Sequence, residues 1–153
     1  MKKVNFLLLG MFCLLLVGCG NNNNKDVVST DEFQKAIVNN KFTFLDNMGS
    51  YLDVDYVKDA KKGVLDSIVI EMVVYDNEDN AKKVQESQIK AFKTIKNTAA
   101  PEEKEEGKNY YKYSMVSNGY YMVSSRIDNT LVFCKTLLEN KEKVEAVLEE
   151  IKY

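Results

Sequence analysis

Hydrophobic and polar positions recur with two different periods along the chain, and these periods predict three helices and a set of strands. Ser29 and Glu32 fit a capping box at the start of a helix, because each side chain then satisfies a backbone amide of the first turn. Apolar residues follow this box at helical spacing, and the same spacing recurs over residues 76–97 and about 139–152. The pattern therefore predicts an early, a central and a terminal helix, each with one buried face.

Shorter apolar runs predict the strands. Residues 42–45 are typical of a short strand, and Val64–Tyr75 is so rich in β-branched residues that it predicts a central strand. Residues 46–63 leave two interpretations open, since "YLDVDYV" alternates like a strand whereas "VKDAKKG" also fits one helical turn that ends at Gly63. The charged stretch 98–108 predicts a solvated loop, with an acidic docking loop as the alternative.

Three strands are predicted between residues 109 and 138. Asn118-Gly119 is a strong hairpin signal, and as a two-residue loop it places Ser117 opposite Tyr120 and Met115 opposite Met122. The next turn, at "DNT", has either two or three residues, and the choice exchanges the faces of the following strand. We prefer three residues, because this register gathers one apolar face: Val116, Tyr121, Val123, Ile127, Leu131 and Phe133.

These elements predict an α+β fold in one globular domain over residues 29–153. The expected sheet is mostly antiparallel, has about four to five strands and is covered by the three helices. The expected order is helix, strands, helix, three strands, helix.

The first eighteen residues have a different pattern. Lys2 and Lys3 precede an apolar run that extends to Gly18, which is typical of a secretory signal peptide and short for a membrane-spanning helix. The run ends in Leu16-Val17-Gly18-Cys19, which resembles the lipobox of bacterial lipoproteins. The resemblance implies cleavage before Cys19 and a diacylglyceryl group on its sulfur. Residues 19–28 would then be the lipidated cysteine and a flexible tether, since they offer almost nothing apolar to bury.

The whole chain resembles the small lipoproteins of low-GC Gram-positive bacteria. The lipobox carries this resemblance, together with the Lys- and Asn-rich composition and the "SRIDNTLVF" strand pair before the terminal helix. It implies a protein anchored to the extracytoplasmic face of the cell membrane, with membrane lipid as its partner through Cys19. The resemblance brings no activity and no functional residue.

Composition excludes several classes of function. The chain has no histidine, so the common zinc and copper sites and histidine-dependent catalysis are not expected, and no cofactor or metal is predicted. Removal of residues 1–18 leaves nineteen basic and twenty-three acidic residues, a net charge of −4. This balance argues against nucleic acid as a partner and predicts no basic patch for anionic lipid headgroups. Cys134, the second mature cysteine, is predicted to be a small buried hydrophobe.

One face of the predicted hairpin is the candidate binding surface. We call it the tyrosine face, and it comprises Tyr111, Tyr113, Tyr120, Met122 and Arg126. Exposed tyrosine and methionine favour partner recognition, whereas a second helix layer over this face would make the same residues core. Arg126 is the single arginine of the chain, and it fits either a salt bridge, for which Glu71 is a candidate, or an anion site.

Three hypotheses of function follow. The first is a non-catalytic binding module that recognises a protein or envelope partner through the tyrosine face. The second is an accessory envelope protein that modulates or blocks a neighbouring process, as in immunity or exclusion. The third is an enzyme that uses carboxylates such as Asp53 and Asp55, which would project to the same side of a strand. The absence of any recognisable catalytic arrangement favours a protein that is not an enzyme.

Overall fold

The structure is a computed structural model that describes residues 24–97 and 100–153. The predicted signal peptide, Cys19 and the first residues of the tether lie outside the described residues. Three α-helices and seven strands occur in the described part of the chain: α1 (Thr30–Asn39), β1 (Thr43–Asp46), β2 (Val57–Leu65), β3 (Ile68–Tyr75), α2 (Glu78–Thr94), β4 (Glu102–Glu106), β5 (Tyr110–Ser117), β6 (Tyr120–Ile127), β7 (Thr130–Leu137) and α3 (Lys141–Glu150).

All seven strands form one antiparallel sheet in the order β1-β2-β3-β7-β6-β5-β4. The fold is α+β overall, but the prediction of a four- to five-stranded sheet is wrong, and so is the predicted order. The order is helix, three strands, helix, four strands, helix. The two halves of the chain meet where β3 pairs with β7 at the middle of the sheet.

Two strands, β2 and β4, account for the difference between the predicted and the observed number of strands. β2 contains a register shift between Val57 and Asp59, so Val57 and Ala60 both pack into the same core cluster although they are three residues apart. This bulge breaks the period of two and gives the segment a helix-like spacing. β4 has the sequence EEKEE, which lacks any apolar face, and it pairs with β5 at the edge of the sheet. Charged residues on an edge strand prevent pairing with other chains.

The two turns of the β5-β6-β7 meander test the predicted registers. Asn118 and Gly119 both have positive φ and form the two-residue loop, with Ser117 opposite Tyr120, so this prediction is confirmed. The preferred three-residue loop at the next turn is wrong, because Ile127 pairs with Thr130 across Asp128-Asn129. Val132 and Cys134 therefore share the core face with Val123, while Leu131 and Phe133 point to the opposite face.

Helices cover both faces of the sheet, and this explains the wrong register. The apolar faces of α1 and α3 pack on one side with Ile70, Met72 and Val123. On the other side lies α2, which contributes Ala81 and Phe92 to two smaller clusters. Because both faces of β7 meet a hydrophobic layer, its hydrophobic pattern does not distinguish one register from the other.

The domain begins earlier than predicted. Ser29 forms the expected capping box with Glu32, but Val28, which the prediction placed in the flexible tether, is buried in the main core. A single buried valine directly before a helix cap gives no periodic signal, so the sequence pattern began only at Ser29. Across residues 24–97 and 100–153, none of the helices combines the length and the hydrophobicity that a bilayer span requires.

Candidate functional site

The tyrosine face is largely covered by α2. Tyr113 and Met122 have no exposed surface, and both pack with Phe92 of α2. Tyr111 is half-buried, whereas Tyr120 is 39% exposed near the turn between β5 and β6. The five predicted residues do share one face, and of the two alternatives left open for it, a covering helix layer is the one that applies to Tyr113, Met122 and Arg126. The amphipathic helix α2 needs an apolar surface on which to pack, and this face supplies it.

Burial also changes the chemistry of this face. It raises the pKa of the Tyr113 phenol to about 12, and the negative charge of Glu102 acts in the same direction. The phenol oxygen lies 3.6 Å from the sulfur of Met115, inside the cluster. Tyr113 is therefore a core residue that remains neutral at physiological pH.

Arg126 is 5% exposed and lies beneath the first turn of α2. Its Nη1 donates hydrogen bonds to Oε1 of Glu78 and to the backbone carbonyl of Asp128, both at 3.0 Å. Its Nε is buried and has no hydrogen-bond partner among the described residues. A buried guanidinium group with an unsatisfied donor is costly to a fold, and a bound ion is one of the explanations for such a group.

The prediction that Glu71 is the salt-bridge partner of Arg126 is wrong. Arg126 pairs with Leu131 of β7, and Leu131 pairs in turn with Val73 of β3. Glu71 therefore lies two strands away from Arg126 and two residues from Val73 along β3. Its carboxylate instead accepts hydrogen bonds from Asn47 and Tyr51. Glu78 reaches Arg126 because α2 passes directly above the sheet.

A cleft of about 580 Å³ opens between α2 and the turn that joins β4 to β5. We call it the α2–β5 cleft. It is lined by Lys82, Gln85, Glu86, Ile89, Lys90, Lys93, Glu106, Gly107, Lys108, Tyr110, Tyr111 and Arg126. Five of these side chains are cationic and two are acidic, so the cleft is locally positive in a protein of net negative charge.

The cations of the cleft differ in how far they are neutralised. Lys82 and Arg126 share the carboxylate of Glu78, and the hydrogen bond from Lys82 is the largest cause of the lowered pKa of that group. Within the described part of the chain, Lys90, Lys93 and Lys108 form no salt bridge with a carboxylate. Three lysines that form no salt bridge therefore lie around a buried arginine. With Glu86 and Glu106 as the two acidic residues of the lining, the cleft keeps an excess of positive charge, which attracts anions.

The floor of the cleft is rigid. The buried Gln85 side chain donates through Nε2 to the backbone carbonyls of Tyr111 at 2.8 Å and of Ser124 at 3.1 Å. These two bonds join α2 to β5 and β6 beside Arg126. Because Gln85 and Arg126 are both held by packing, a ligand would meet a preorganised surface at the floor and mobile lysine side chains at the rim.

Residue Lys25 is fastened to the same turn that forms one wall of the cleft. Its backbone N–H donates to Oδ1 of Asn109, and its carbonyl accepts from Nδ2 of Asn109, both at 2.9 Å. The Lys25 ammonium lies 3.1 Å from Oε1 of Glu105 and 4.4 Å from the ring centre of Tyr110. We call this set of contacts the Lys25 clasp. Lys25 was predicted to belong to the flexible tether, but it packs on the domain.

Other candidate residues do not form a site. Asp53 and Asp55 lie in an exposed turn before β2, so the expectation of a strand that aligns them is wrong. Among residues 24–97 and 100–153 there is no group of three or more metal-ligating side chains. Cys134 is buried, and this burial raises the pKa of its thiol to about 12.

The sequence does not single out the cleft lysines as a site, although it places Lys82, Lys90 and Lys93 in the predicted central helix. Lys82, Lys90 and Lys93 lie on one side of α2, but they are separated by acidic and polar residues and form no basic run. Lys108 comes from the stretch that was predicted to be a solvated loop. A helical-wheel comparison of Lys82, Glu86, Lys90 and Lys93 was the available signal, although it does not reveal that Arg126 lies beneath.

No protein-family model matches the chain, and no curated protein matches it. Among solved structures, the chain is similar to a GTP binding regulator from Thermotoga maritima, known from a crystal structure. The two share 19% sequence identity over 85% of this chain and 92% of the other, with a TM-score of 0.48. A likeness at this level assigns no function to this chain.

Proposed function

We propose that this protein is a lipoprotein of the extracytoplasmic membrane face, anchored through Cys19, that acts as a non-catalytic binding module for an anionic ligand. The lipobox-like sequence before Cys19 supports the anchor, and two acyl chains suffice for stable attachment. The α2–β5 cleft replaces the tyrosine face as the ligand site. The observation that carries this proposal is the buried Arg126 with its unsatisfied Nε at a cleft rimmed by lysines.

The geometry of a guanidinium group supports binding rather than a purely structural role for Arg126. Glu78 and Asp128 both use Nη1, so they leave the edge formed by Nε and Nη2 without a partner among the described residues. That edge matches two oxygens of a carboxylate or phosphate group. Nε is enclosed by protein, so an anion in the cleft would approach this edge from the Nη2 side and gain attraction from the rim lysines.

Replacement of Cys19 by alanine tests the anchor. We expect the Cys19→Ala protein to carry no lipid and to retain residues 1–18, because the thiol is the attachment point and cleavage in lipoproteins follows lipidation. Mass spectrometry of the N-terminal peptide measures both. Cys13→Ala is the matched control, since Cys13 lies inside the apolar run, and it is expected to be lipidated and cleaved normally. An unmodified Cys19 in the wild-type protein would contradict the anchor.

Thermal unfolding with pyrophosphate as the probe tests the cleft. A ligand that binds only the folded state at 100 times its Kd stabilises by about 2.7 kcal/mol, so we expect a clear rise in Tm for the full-length protein. The Arg126→Lys variant keeps the charge but loses the bidentate edge, and its Tm is expected to respond far less. Each variant is compared with itself at equal ionic strength in sodium chloride. An equal rise in the variant would remove Arg126 from the site.

A further inference from the structure

We infer that the α2–β5 cleft binds the phosphate group of a lipid in the same membrane that carries the anchor. This inference rests on the proposed anchoring at Cys19 and on the proposed anion site. It adds the chemical class of the ligand and its source. The argument combines the position of the Lys25 clasp with the charge of the cleft.

The clasp places the cleft at the membrane-proximal end of the domain. Asn109 holds both backbone polar groups of Lys25, and Asn109 follows Gly107 and Lys108, which line the cleft. Asn109 is itself fixed, because its side chain donates to Asp128 at 3.0 Å and its carbonyl accepts from the Asp128 amide at 2.8 Å. The chain therefore leaves the domain beside the cleft.

The length of chain before the clasp limits how far the cleft can lie from the membrane. Six residue steps separate Cys19 from Lys25. A polypeptide spans at most about 3.6 Å per residue, so the two Cα atoms are at most about 22 Å apart. A lipid-linked Cys19 thus keeps the mouth of the cleft within reach of the headgroup region, where phosphate groups are abundant.

The cleft chemistry favours phosphate over a single carboxylate. Arg126 lines the cleft and Lys90, Lys93 and Lys108 surround it, so four cationic side chains are available to the oxygens of one ligand. A carboxylate has only two oxygens, whereas a phosphate diester also presents bridging oxygens and a tetrahedral shape that several donors can surround. Exposed lysines near an anionic membrane each add attraction, and those of the rim are placed to do so.

Titration calorimetry of the full-length lipidated protein in a neutral detergent tests the inference. The probes are dihexanoyl phosphatidylglycerol, dihexanoyl phosphatidylcholine and inorganic phosphate. The test variant is Lys90→Gln/Lys108→Gln. The matched control is Lys83→Gln/Lys143→Gln, which removes the same charge from one exposed lysine of α2 outside the cleft lining and one of α3 on the other face of the sheet.

We expect phosphatidylglycerol to bind the wild type and the control equally, and to bind the test variant up to about 25-fold more weakly, since an exposed ion pair with each of the two lysines contributes up to about fivefold. Phosphatidylcholine is expected to bind much more weakly, because its choline cancels the phosphate charge. Equal phosphatidylglycerol affinity in the test and control variants would overturn the inference.

Two further outcomes separate the inference from the proposed function. If inorganic phosphate binds as tightly as phosphatidylglycerol, with the same loss in the test variant, the cleft is a phosphate site but membrane lipid is not its source, and the inference is overturned. If neither lipid nor phosphate binds while pyrophosphate still raises the Tm through Arg126, the inference fails and the proposed anion site stands. If no probe acts at all, both fail.

Discussion

Tyr113→Ala is expected to lower the free energy of unfolding by about 3–5 kcal/mol, the range measured when a large buried aromatic side chain is truncated. Tyr113 has no exposed surface and packs with Phe92, Met115 and Met122 between β5 and α2. The cavity would lie under the helix that also forms one wall of the α2–β5 cleft. Urea unfolding of the full-length protein in detergent measures the change.

Two variants identify packing as the cause. Tyr120→Ala lies on the same face of the same hairpin, but its side chain is 39% exposed, so we expect a loss of about 1 kcal/mol or less. Tyr113→Phe keeps the ring and removes the hydroxyl. That hydroxyl contacts the Met115 sulfur and interacts with the Glu102 carboxylate, so its removal is expected to cost about 1 kcal/mol. A Tyr113→Ala protein as stable as the wild type would show that this face is not core.

The turns show which features of the fold the sequence predicts. The register predicted at Asn118-Gly119 is confirmed because local chemistry determines it. Both residues adopt the positive φ that a two-residue hairpin turn requires. The register predicted after Asp128-Asn129 is wrong because it rests on gathering apolar residues onto one face of the sheet. Grouping decides a register only when one face of a sheet is exposed to water, and here helices cover both faces.

The missed strands have a related explanation. β4 is held by its backbone pairing to β5 and has no apolar residue to reveal it. In β2 the bulge near Lys58 disturbs the alternation on which a strand prediction depends. Neighbouring strands determine both the pairing of an edge strand and the position of a bulge. The sequence of one segment alone therefore does not show that β2 and β4 are strands.

The candidate site was predictable only in part. The sequence singles out Arg126, since it is the one arginine of the chain, and it places Arg126 on the correct face. The ligand site itself depends on how α2 crosses the sheet, because that crossing brings Glu78 and the rim lysines to Arg126. The position of α2 on the sheet depends on the tertiary structure, so no sequence motif predicts it.

Gly63→Ala is expected to lower the free energy of unfolding by about 1–3 kcal/mol, although alanine usually suits a chain better than glycine. Gly63 lies in β2 directly beneath Ile37 of α1. A Cβ at this position would stand 2.2 Å from Cδ1 of Ile37 and 3.0 Å from both Cγ atoms. Rotation of the outer methyl removes the first clash but not the other two, so α1 must shift away from the sheet.

A double-mutant cycle assigns the effect to this contact. Ile37→Ala alone creates a cavity and is expected to cost about 2–5 kcal/mol, but it also removes the three atoms that lie nearest to the new Cβ. The double variant should therefore be about 1–3 kcal/mol more stable than the sum of the single effects predicts. Gly49→Ala is the matched control, because a Cβ there meets nothing within 4 Å, and we expect a change within about 0.5 kcal/mol. Strict additivity of Gly63→Ala and Ile37→Ala would show that α1 does not rest on the sheet at Gly63, because the close approach of helix and strand is the only source of the expected coupling.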